Sequence, residues 1–97
     1  MPNANPGLPV WQVLATGRLS GNPQHAQWGW RTSWMAYVVS ATREGAVRAG
    51  LAAVQATAVA MGELPPEKTS RVTKRDNADP GWPEGSVTYV EFRAVQR

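Results

Sequence analysis

Between Thr42 and Gly62 the chain carries Val47, Leu51, Val54, Ala58 and Met61 at alternating steps of four and three. That spacing lines apolar side chains along one side of an α-helix. Both ends of the stretch are marked. The Thr42 hydroxyl is placed to cap the first turn, and Glu44 suits the positive end of the helix dipole. Gly62, followed by Pro65 and Pro66, stops the run. No other stretch has this period, so it reads as the only helix, and the rest of the chain must supply the surface on which it packs. The helix back, with Ala52, Ala56, Val59 and Ala60, carries little polarity, and a second copy of the chain is the simplest cover for it.

The flanking segments read as strands. Val10 to Leu19 places Trp11, Val13, Ala15 and Leu19 on one parity, with Gln12, Thr16 and Arg18 on the other. Gly21, Asn22 and Pro23 break it, and Trp28 to Ser40 resumes with Trp28, Trp30, Thr32, Trp34, Ala36 and Val38 on the even side. The tryptophan side is expected to face the helix, where Ala46, Gly50, Ala53 and Thr57 leave room for indole rings. After the helix, Lys68 to Arg75 reads as an edge strand guarded by charge. The turn-rich run Asp76 to Gly85 then leads into a strand from Val87 to Val95, expected to close a second hairpin.

A chain of 97 residues fits one domain with one modest core. The predicted fold is therefore α+β in ββαββ order: a four-stranded, mainly antiparallel sheet with one helix packed on one face. Residues 1–9, rich in proline and asparagine, read as a mobile arm, and residues 10–97 as the domain. The other face of the sheet is left open, presenting Arg31, Tyr37, Tyr89, Glu91 and Arg93 with Met35 and Val39 between them.

Chemistry is sparse. The sole histidine, His25, falls in a turn and has no second imidazole with which to share a metal. Asp76, Asp79 and Glu84 lack the spacing of a helix-loop-helix calcium site, and their turn setting explains them. Glu63 and Glu67 flank two prolines in an exposed connection, where nothing would set one up as an acid and the other as a base. Gly17, Gly21 and Gly29 are too scattered for a dinucleotide fingerprint, and no phosphate-binding GxxxxGK[ST] run occurs. The sequence thus points away from an enzyme and calls for no cofactor and no metal. There are no cysteines, no apolar run long enough for a bilayer and no secretory signal, from which a soluble cytoplasmic protein without membrane contact is expected.

Five tryptophans and a net charge of +3 direct attention to binding. The leading expectation is a non-catalytic small binding protein of interaction or inhibitor type that masks a macromolecular partner, with a protein as that partner and a homodimer as one form. Trp82, held between Gly81 and Pro83, joins Tyr37, Tyr89 and Arg93 as the contact set. Phage proteins that block host defences are comparably small and motif-free, an analogy of size alone. One alternative is single-stranded nucleic-acid binding on the open sheet by the tyrosines with Arg31, Arg71, Lys74 and Arg75. Another is sequestration of a nucleotide-like ligand between tryptophans.

Overall fold

The computed structural model describes residues 7–95, with the side chains of all except residues 17–19, 25 and 95. The elements in chain order are β1 (Pro9–Leu19), α1 (Pro23–Gln27), β2 (Arg31–Val39), α2 (Arg43–Ala60), β3 (Arg71–Asn77) and β4 (Val87–Val95). The strands form one antiparallel sheet in the order β3-β1-β2-β4, with α2 against one face. This is the predicted α+β arrangement with the long helix between two pairs of strands.

Alternation dictates how the sheet packs. Val13 lies opposite Ala36 and Ala15 opposite Trp34 across β1 and β2; Trp34 and Ala36 in turn face Phe92 and Val90 on β4. These side chains share the helix face, where Val13, Ala15, Trp34, Ala36, Val38, Ala46, Val54 and Ala58 form the core. Each fully buried valine here contributes about 1.5–3 kcal/mol of burial free energy, and each alanine methyl about 0.8 kcal/mol. Trp34 and Phe92 pack at 4.6 Å between ring centroids.

The helix meets the sheet through a different stripe from the one its hydrophobicity suggests. Ala46, Gly50, Val54 and Ala58, a strict i+4 row, are its buried residues. Val47 and Leu51 are half-buried, and Met61 is 51 % exposed. Close approach is the cause. A Cβ built on Gly50 would sit 2.9–3.0 Å from three carbons of Val13, so the row nearest the sheet must be small.

The ends of α2 are as the sequence marks them. Thr42 is extended, and its Oγ1 accepts from the Gly45 N–H at 3.0 Å. Gly62 has φ of +76°, the left-handed stop that glycine adopts without strain. The bend from β2 into α2 is tied down from two sides. The Trp11 Nε1–H donates to the Ser40 carbonyl at 2.9 Å, and Glu84 Oε2 accepts the Ala41 N–H at 3.1 Å.

Four expectations are corrected. The presumed turn around His25 contains the short helix α1, which Asn22 starts by accepting the Gln24 N–H on its side-chain oxygen at 2.9 Å. β2 starts at Arg31, so Trp28 lies outside the strand and is 67 % exposed. The segment read as an arm, residues 1–9, overlaps the sheet at its end. Pro9 opens β1 and the Leu8 carbonyl accepts the Ala78 N–H, while residues 1–6 of that arm lie outside the described residues. Finally, β3 and β4 form no hairpin: they occupy opposite edges, and residues 78–86 run across one end of the sheet between them. That connection is pinned where it passes the end of β2, by Val39 N–H to Ser86 O at 2.8 Å and Gly85 N–H to Val39 O at 2.7 Å.

Candidate functional site

Two faces of the domain are left uncovered by the other described residues. The first is the back of α2, where Ala52, Ala56, Val59 and Ala60 are exposed and continue into exposed Met61 and Leu64. The second is the sheet face away from α2. Strand pairing lays this face out as a grid. One row across β3, β1, β2 and β4 reads Thr73, Gln12, Tyr37, Tyr89; the next reads Arg71, Leu14, Met35, Glu91. A third row joins Thr16, Ser33 and Arg93 across β1, β2 and β4, and Arg31 follows at the end of β2.

The centre of the grid is apolar and the margin is charged. Leu14, Met35 and Tyr37 are half-buried by their neighbours, although no element lies over them among the described residues. The Tyr37 and Tyr89 rings pack at 6.0 Å between centroids with a 36° tilt, leaving Tyr89 46 % exposed. Gln12 fills the space beside them, its Nε2 3.0 Å from Met35 Sδ. At the margin, Arg71 is exposed, and Arg93 lies 3.8 Å from Glu91 with a guanidinium that remains largely in water. A surface pair of that length and exposure adds little stability, so either charge is available to a partner at small cost.

The structure brings Tyr37, Tyr89 and Arg93 together on this face. Trp82 stands apart on the loop between β3 and β4, 47 % exposed, at the end of the sheet where the tyrosine pair sits. The four cations of the nucleic-acid reading are divided. Arg31 and Arg71 share the open face, whereas Lys74 pairs with Trp11, a residue of the helix-facing parity. Arg75 lies in the irregular stretch where β3 slips register against β1. Along that stretch Thr73, Lys74, Arg75 and Asp76 border a shallow hollow of about 410 Å³.

The tryptophans are also dispersed. Trp34 is fully buried, Trp11 is committed to Ser40, and Trp28 and Trp82 emerge from separate loops. Two of the carboxylates that the sequence raised as acid or metal candidates, Glu63 and Glu84, have structural partners. Glu63 Oε1 accepts the Gly21 N–H at 2.7 Å, tying the end of α2 to the turn after β1, and Glu84 holds the bend before α2.

Sequence reasoning missed Leu14, Gln12 and Thr73 as members of the open face. Their parity relative to Val13 and Val72 was the available signal. No protein-family model, curated protein or solved structure matches this chain.

Proposed function

We propose that this chain is a non-catalytic binding protein that covers an acidic protein surface with its open sheet face. The observation that carries the reading is the tyrosine pair, set beside Leu14 and Met35 and bordered by Arg71 and Arg93. An apolar, aromatic centre with a polar, arginine-bearing rim is the anatomy of protein interfaces, in which Tyr, Trp and Arg carry most of the energy. Trp82, exposed on the loop at the tyrosine end of the sheet, is assigned as an additional contact. Masking of this kind is how a small inhibitor acts. Nucleic acid is the weaker fit, because Tyr37 and Tyr89 pack on each other, Glu91 interrupts the cations, and Lys74 belongs to the other parity.

The test is site-specific photocrosslinking from position 89, with position 44 on the exposed first turn of α2 as control. A protein adduct formed from nuclease-treated lysate at 89, absent at 44 and lost when Arg93→Glu is added, supports the proposal. Adducts identical at both positions, or adducts to nucleic acid that weaken steeply with added salt, overturn it. Truncating Tyr89 or Trp82 to alanine is expected to weaken the identified complex by more than about 1 kcal/mol.

A further inference from the structure

The two edges of the sheet are treated differently. β3 is guarded: Arg71, Lys74, Arg75 and Asp76 are all exposed, and its pairing with β1 slips between Pro9 and Trp11. Charge and irregularity of this kind protect an edge from further pairing. β4 is nine residues long and reads VTYVEFRAV, with neither lysine nor proline. Its register against β2 slips once, between Val87 and Tyr89, and is continuous from Tyr89 to Val95.

The direction of the free hydrogen-bonding groups on β4 follows from β2. Val39 exchanges both of its backbone bonds with the β4 side, through Ser86 and Gly85, whereas Ser40 N–H and Trp30 C=O bond toward β1. In an antiparallel ladder the N–H and C=O of one residue point the same way and those of the next point oppositely. Odd residues of β2 therefore bond to β4, which engages Tyr89, Glu91 and Arg93. The N–H and C=O groups of Val90, Phe92 and Ala94 point outward from the edge.

We propose that this edge pairs with the β4 edge of a second copy, antiparallel, around a two-fold axis at Phe92, so that two domains share one continuous sheet. In that register Val90 lies opposite Ala94 of the second copy and Phe92 opposite its equivalent, so each outward group meets an outward group. Glu91 then stands across from Arg93 of the second copy, and Arg93 from Glu91. A slip of two residues in one direction sets Glu91 against Glu91; in the other direction it sets Arg93 against Arg93. Like charges directly opposite are destabilising and unlike charges stabilising, so the charge pattern selects one register. The same complementarity favours a second copy over an unrelated extended peptide, which carries no such match. The open face stays uncovered in this assembly; Arg93 serves both surfaces, and self-association measured on the isolated chain separates this pairing from the binding proposed above.

The experiment combines sedimentation equilibrium with amide hydrogen exchange of the full chain over a concentration series. The expected result is a mass rising from 10.5 kDa toward twice that value. In parallel, the Val90, Phe92 and Ala94 amides pass from unprotected to protected, while Tyr89, Glu91 and Arg93 are protected throughout. Glu91→Arg is expected to weaken association on the order of tenfold or more, and Glu91→Arg with Arg93→Glu to restore it. Ala94→Pro, which removes an N–H that no strand among the described residues uses, is expected to abolish association with the fold retained. A chain that remains monomeric at the highest concentration with those three amides unprotected overturns the proposal. So does protection of them that is independent of concentration, and so does a charge swap that fails to rescue.

Discussion

Gly50→Ala is the sharpest probe of how α2 seats on the sheet. In an exposed helix interior this exchange stabilises by about 1 kcal/mol, because alanine loses less backbone entropy than glycine. At position 50 the added methyl would stand 2.9 Å from Val13 Cγ2 and 3.0 Å from both Cβ and Cγ1. Ordinary carbon contacts lie at about 3.5–4.0 Å, so the groups must separate by more than half an ångström. Turning the Val13 rotamer does not help, since its Cβ is itself one of the crowded atoms, and β1 is held in place by strands on both sides. The helix must lift. Overpacking of this kind costs about 1–3 kcal/mol, which outweighs the propensity gain and leaves a net loss centred near 1 kcal/mol. Urea denaturation followed by far-UV circular dichroism reads this directly, and in a domain of this size it corresponds to a drop of about 4–8 °C in Tm. The double-mutant cycle with Val13→Ala sharpens the test. Removing both Cγ atoms relieves most of the clash, so Gly50→Ala should become neutral or stabilising in that background, a coupling of about 1–2 kcal/mol. A Gly50→Ala variant stabilised by about 1 kcal/mol, with no coupling to Val13, would refute the claim that this row is the contact line.

Thr42→Ala removes the side-chain acceptor for the Gly45 N–H and should cost about 1 kcal/mol in the same assay, with Thr42→Ser close to the parent; equal losses in both variants would mean that the cap contributes nothing. Trp34→Phe should lie within about 1 kcal/mol of the parent although Trp34 is fully buried. Its Nε1–H has no acceptor among the described residues, and removing that donor, which costs about 1–3 kcal/mol to bury, offsets the lost ring contacts. A loss beyond about 3 kcal/mol would mean that the indole N–H is satisfied.

The sequence disclosed those features that depend on local chemistry. Thr42 and Gly62 bound the helix because capping and left-handed backbone are properties of single residues. The parity of β2 from Thr32 to Val38 was legible because one face is buried throughout. The contact row of α2 was read from its largest apolar residues, yet Val47 and Leu51 flank the contact while Ala46 and Gly50 make it. How near a helix can come to a sheet is set by volume, which a hydrophobicity count does not weigh. α1 was hidden in a turn-like composition, although Asn22 followed by Pro23 is the pairing expected of a cap and first helical position. The pairing of β3 was beyond local reading. Adjacency in sequence suggested a hairpin with β4, but β1 offered a free side, and α2 carries the chain across to it. On the open face Tyr37, Tyr89 and Arg93 followed from parity alone, whereas grouping Lys74 with Arg71 ignored the alternation that separates them.

The strand order also has a consequence for how the molecule is made. The chain through α2 builds the two inner strands and their helical cover; both borders come from the residues after Ala60. A ribosome therefore delivers a bare inner ribbon before either flank exists, and that ribbon must wait for the flanks without sticking to its neighbours. The flanks arrive joined by residues 78–86, so they act as a single clasp that closes on both sides of the ribbon at once.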